Sequence, residues 1–209
     1  KNNFSERRSN LARKVLDDSA IIIASASVKS RISDTDYAYR QDSNFYYLSG
    51  YEEPESLILI RPNHANEKFI IFCRDRDPLR EQWDGFRTGQ EGAITEYGAD
   101  ASYSIKSVDP LMPELLKGSK NIYFSMSSPC GIDSKINHWI EDIRKNMRAG
   151  AEPPENLLSL DSILHEMRLI KEDHELDIMK HAADITTEAH IRAMQAVTPG
   201  MFEYQLEAE

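Results

Sequence analysis

His165-Glu166-Met167-Arg168-Leu169 opens as a zinc-peptidase helix would. Such a site needs a second histidine four positions on, so that two imidazoles share one helix face. Position 169 is leucine, and the motif stops short. Asp177 and His181 do stand at i, i+4, the spacing of a surface carboxylate–imidazole pair. Glu203 and Glu207 share a face in the same way and read as a solvated helix edge. His64, His138, His174 and His190 form no obvious ligand set. No GxSxG elbow, GxGxxG turn or GxxxxGK[ST] loop occurs, so serine-hydrolase, dinucleotide and P-loop chemistry have no local support.

Two stretches have unusual compositions. Residues 34–55 hold five of the nine tyrosines, interleaved with Asp, Arg and Asn. They suit either a groove for a polar ligand or a tyrosine-rich strand and turn packed on a sheet. In 74–89, six of the first eight residues are charged, and Trp83 follows between charge and glycine. That pattern fits a loop presenting Trp83 to a ligand or interface, and equally a surface ion-pair mesh around a core tryptophan.

The elements that must position these residues follow from periodicity. Phe4, Leu11 and Val15 mark a helix over about 5–16. Three short apolar runs, 20–26, 57–60 and 69–73, read as buried strands, the last two joined by the turn-like 62–67 as a hairpin. Ile122-Tyr123-Phe124 is a further strand. Helices are expected over 91–97, over 111–116 and along the stripe Ile136, Trp139, Ile140, Ile143, Met147. Strands and helices alternate around one hairpin, which predicts an α/β fold with a mixed β-sheet flanked by helices. Gly150 to Glu155, with paired prolines, is a boundary candidate. Beyond it, helices are expected around 163–170, over 172–197, and from Phe202 onward. That last amphipathic face is cut off after two turns, the pattern of a chain that is part of something longer.

The 209 residues carry 35 acids and 25 bases, a net charge of −10. Residues 1–151 hold 22 acids and 21 bases; residues 152–209 hold 13 and 4. The second part is therefore −9 by itself, which points to two units in different surroundings. An acidic chain repels phosphate backbones, so nucleic acid is not an expected partner. No apolar run approaches the roughly 20 residues of a membrane span. Cys73 and Cys130 lie too far apart for a CxxC or zinc spacing, which predicts a reducing, cytoplasmic setting.

Four blocks then carry a family resemblance. The stretch Asp34 to Glu55, above all Tyr39-Arg40-Gln41-Asp42-Ser43-Asn44-Phe45-Tyr46-Tyr47-Leu48-Ser49-Gly50-Tyr51, resembles the opening signature of the Xaa-Pro aminopeptidase (aminopeptidase P) family. The stretch 76–89 is similar to the family's next block, 165–171 to the bridge into its catalytic domain, and 198–209 to that domain's first helical pair. The blocks come in family order and span the chain. The resemblance implies a creatinase-like N-terminal domain over 1–170 and the truncated start of a pita-bread catalytic domain over 171–209. It implies a metallopeptidase that removes the N-terminal residue from peptides with proline second. Two metal ions, typically manganese, would be held by two Asp, one His and two Glu. All five ligands fall after the matched segment, so no catalytic or metal-binding residue is expected within 1–209, and the segment alone is expected to be inactive. Asp34 and Trp83 match positions near the substrate, with Tyr37 and Arg40 in the same block. Expected partners are peptide substrates, the catalytic domain of the same chain, and further copies in a homo-oligomer. The same architecture resembles that of a histone-chaperone subunit, so a non-catalytic peptide- or protein-binding module is the alternative.

Overall fold

The computed structural model describes residues 2–126, 131–147, 150 and 152–209; Cys130 lies outside them. The chain forms two compact units, 1–164 and 165–209.

In the first unit, helix α1 (Asn2–Ala12) leads to strand β1 (Ser19–Ala24). Ile21, Ile22 and Ile23 are all buried, as expected of a central strand covered on both faces. A small hairpin of β2 (Ser30–Ile32) and β3 (Thr35–Asp36) follows, then helix α2 (Ser43–Ser49). Strands β4 (Leu57–Ile60) and β5 (Phe69–Cys73) come next, then helices α3 (Pro78–Asp84) and α4 (Gly89–Thr95). Strand β6 (Ala101–Ser104), helix α5 (Val108–Leu115), strand β7 (Asn121–Phe124), helix α6 (Ile132–Lys145) and strand β8 (Asn156–Ser159) complete the sheet and its cover.

The six-stranded sheet has the order β6-β5-β4-β1-β7-β8. β4 pairs antiparallel with both β1 and β5, and β5–β6, β1–β7 and β7–β8 are parallel. The sheet is therefore mixed, with the expected β4–β5 hairpin near its middle. On one face, Ile22, Leu59, Ile70, Phe72 and Phe124 pack under α5 and α6, whose Met112, Ile136 and Trp139 are fully buried. The buried indole donates from Nε1 to Asp109 Oδ1 at 3.0 Å, which satisfies its polar atom and ties α6 to α5. Period-2 alternation sends Ile21, Ile58 and Ile71 to the opposite face, where α2 touches β1 and α4 touches β5 and β6.

Two expectations change here. The prolines of 150–155 do not separate domains, because β8 beyond them pairs with β7 in the same sheet. The tyrosine-rich block is not a strand: 43–49 is helical. Asp42 caps it, accepting from Asn44 N and Phe45 N at 2.9 Å, and Gly50 closes it at φ 67°.

The second unit begins within helix α7 (Asp161–Leu169) and contains α8 (Asp173–Ala196) and α9 (Glu203–Ala208). No residue of α8 is buried, although Ile178, Met179, Ile185 and Met194 lie along it. Arg192 of α8 pairs with Glu209 at 2.9 Å. Among the described residues, no helix is long and apolar enough to cross a membrane.

Candidate functional site

Asp34 lies in the tight turn between β2 and β3, exposed, where it accepts a 3.4 Å bond from Thr35 Oγ1. One step past β3, the Tyr37 amide donates to Lys29 O at 2.9 Å and fixes the hairpin's base. The Tyr37 ring is 58% exposed, with the Arg31 guanidinium 6.0 Å from its centroid. Arg40 is exposed just ahead of the α2 cap and reaches Ser43 Oγ at 3.4 Å. The block then turns inward: Phe45, Leu48 and Tyr51 are fully buried. So 34–44 presents mainly polar groups to solvent, 45–51 turns inward except at the exposed Tyr46, and Glu52 and Glu55 return to the surface.

Gln41 holds the two halves together. Its Oε1 accepts from Ala26 N at 2.9 Å and its Nε2 donates to Glu53 O at 3.0 Å and Tyr51 O at 3.3 Å. Tyr39 donates to Ala26 O at 3.1 Å beside it.

Trp83 occupies α3, a helix dictated by local chemistry. Asp77 caps it through Arg80 N at 3.1 Å, and Pro78 sits at the first helical position, where no amide is needed. Glu81 accepts a bidentate pair from Arg76 at 2.6 and 2.9 Å. That hydrogen bond is the main reason the Glu81 carboxyl lies below its usual range. Arg76 also lies over the Phe86 ring, 4.3 Å from its centroid. The ion-pair mesh expected in 74–89 is thus present, but Trp83 is no core residue. Its indole is 87% exposed and lines an open groove with Asp77, Leu79 and Arg80.

No hydrogen bond, ion pair or ring contact joins any two of Asp34, Tyr37, Arg40 and Trp83. The link between their blocks is Glu53, which sequence reasoning passed over. Its Oε1 accepts from Thr88 N at 2.6 Å, and its Oε2 pairs with Arg74 at 3.3 Å. The Tyr51 hydroxyl stands nearby without a well-formed hydrogen bond. Burial first, then the neighbouring Cys73 and Glu53, push its pKa up. The sequence offers little signal for this role, since Glu53 sits among Glu52 and Glu55 with nothing local to single it out. Among the described residues, no group of three or more His, Cys, Asp or Glu could hold a metal ion. An exposed carboxylate, phenol, guanidinium and indole can each take part in ion pairing, hydrogen bonding or stacking.

The model of the family described as aminopeptidase P, N-terminal domain, matches residues 4–123. The chain belongs to this family. It is 35% identical to the Xaa-Pro aminopeptidase of Escherichia coli (strain K12) over 207 residues, covering 99% of this chain and 47% of that protein. The aminopeptidase PepP structure from Pseudomonas aeruginosa superposes with a TM-score of 0.95 at 41% identity, over 98% of this chain and 46% of that one. A substituted Escherichia coli aminopeptidase P, solved in complex with substrate, gives a TM-score of 0.92 at 33% identity, over 99% and 47%. This aminopeptidase P N-terminal domain chain thus spans about half the length of the curated relatives it matches.

Proposed function

We propose that the chain is the N-terminal part of a metal-dependent aminopeptidase that removes the N-terminal residue from peptides with proline at position two. The observation that carries this reading is the similarity of the whole chain, in sequence and in fold, to aminopeptidases P. Residues 1–170 would form the domain that covers the substrate site, and 171–209 the start of a pita-bread catalytic domain. The exposed apolar side chains of α8, such as Ile178 and Met194, support that division, since a catalytic domain would bury them.

In this reading, Asp34, Tyr37, Arg40 and Trp83 line the substrate-facing wall. The Trp83 indole offers a flat apolar surface to a peptide side chain or to a proline ring, and its exposed arm also supports contacts between copies in a homo-oligomer. The Asp34 carboxylate and Tyr37 phenol offer polar contacts to the peptide. Metal chemistry would be supplied by two ions, expected to be manganese, that polarise the scissile carbonyl and activate water. In this reading the ligands come from the longer protein; among the described residues no group of three or more His, Cys, Asp or Glu could hold such a pair.

The test is kinetic. The longer protein containing this chain is expected to cleave a proline-second peptide in the presence of Mn²⁺. Trp83→Ala in it should raise KM about tenfold, roughly 1.4 kcal/mol of binding, with kcat little changed. Absence of such cleavage overturns the activity; unchanged KM and kcat overturn the role of Trp83.

A further inference from the structure

The excursion that carries Trp83 runs from 75 to 87, and both its ends meet one carboxylate. Arg74, immediately before it, pairs with Glu53 Oε2 at 3.3 Å; Thr88, immediately after it, donates its amide to Glu53 Oε1 at 2.6 Å. The Glu53 and Arg74 side chains are only 16% and 15% exposed, so water competes weakly for these bonds. A second tie parallels the first: Arg87 donates to Asp75 O at 3.4 Å and to Asp84 Oδ2 at 3.3 Å. Gly89, at φ 63°, lets the chain pass the Arg76 stem; a Cβ there would lie 2.7 Å from Arg76 Cγ. On its other side, Glu53 is anchored through its own carbonyl by Gln41 and by Ser56 Oγ at 3.0 Å.

We propose that Glu53 is the positioning residue of the Trp83 arm, a part-buried carboxylate clamp that holds the two ends of the arm against the segment around Gln41 and Ser56; this rests on the reading of Trp83 as a peptide-binding residue. Joining the two ends of a loop removes most of the freedom of what lies between them. An exposed indole held this way loses little further entropy when it closes on a ligand, so the clamp acts on binding rather than on chemistry.

Two tryptophans make the clamp observable. Trp83 rides on the arm, and Trp139 is fully buried in α6 and serves as the internal reference. In the chain labelled with 5-fluorotryptophan, the two ¹⁹F resonances are assigned with Trp83→Phe. Glu53→Ala is expected to shift the Trp83 resonance and narrow it about twofold, leaving the Trp139 resonance in place. Glu53→Gln keeps an acceptor for the Thr88 amide but loses the charge facing Arg74, and should give a smaller change of the same sign. If both variants keep the Trp83 resonance of the parent while Trp139 reports an intact fold, the proposal is overturned.

In the longer enzyme, Glu53→Ala should raise KM without lowering kcat in proportion. Its effect should also vanish when Trp83 is already alanine. An equal effect in both backgrounds overturns the link through Trp83. Failure of Trp83→Ala itself to move KM would instead count against the peptide-binding reading, while the fluorine measurement still decides the clamp.

Discussion

Tyr39 donates its phenol proton to Ala26 O at 3.1 Å, and its pKa is pushed up to about 12, foremost by burial. The fold thus prefers the neutral phenol. Stability from this group is whole below pH 10, where the unfolded chain also keeps its proton, and is lost as pH rises towards 12. Burial raises Tyr51, Tyr97 and Tyr103 in the same direction, so their losses add at alkaline pH. Urea midpoints measured from pH 9 upward are expected to be flat to about pH 10 and to fall beyond it. Tyr39→Phe should soften that fall, at a cost of about 1 kcal/mol at neutral pH from the lost hydrogen bond. A slope identical in the variant would show that Tyr39 does not titrate into the loss.

Among the elements, α2 shows how a short helix can be decided from outside itself. Phe45, Tyr46 and Tyr47 are residues common in strands. Helix wins because Asp42 caps one end, Gly50 turns the other, and the buried side must fit between α1 and β1. Gly50 answers to two demands at once. Its φ is 67°, and a Cβ would fall 2.5 Å from Phe4 Cε2 on α1. Gly50→Ala is therefore expected to destabilise the fold by about 1–3 kcal/mol, from left-handed strain plus displacement of Phe4. Chemical denaturation reads it directly, and an unchanged midpoint would mean that Phe4 yields freely. By contrast, the β4–β5 hairpin and most of the stripe of α6 were legible in sequence. The apolar runs of β4 and β5 are buried throughout, and Ile136, Trp139, Ile140 and Ile143 are buried as their spacing predicts, whereas Met147 lies past the end of α6 and is exposed. The strands β6 and β8 were not: Ala101–Ser104 and Asn156–Ser159 are mostly polar or half-exposed edges, defined by pairing with β5 and β7 rather than by their own pattern. The helix α3 had its signals in plain view, Asp77 then Pro78, but its charge density masked them as loop.

For the whole molecule, charge and length point the same way. The −9 of residues 152–209 comes from Glu152 and Glu155 ahead of β8 and from acids in and beside α7, α8 and α9, where exposed acids are interspersed with exposed apolar side chains. Residues 1–151, nearly neutral, form most of a sheet with its core on both faces. If the metal ligands belong to the rest of the protein, purified 1–209 should not hydrolyse an Xaa-Pro peptide with Mn²⁺ added, whereas the longer protein should. Turnover by the isolated chain would overturn that assignment.

The sequence by itself determined the class of fold, its central strands, its amphipathic helices and, through four ordered blocks, its family. These are local properties: side-chain period, caps and turn residues act over a few positions, so they can be read from a few positions. Tertiary structure alone decided which residues of the aromatic block are core and which face solvent. It put Trp83 outside rather than in the core, and joined the two unusual stretches through Glu53. Those outcomes depend on contacts such as Glu53 with Thr88, distant along the chain and adjacent only after β4, β5 and α4 have packed. A carboxylate's neighbours in space set what it holds, and no spacing rule in one dimension encodes them.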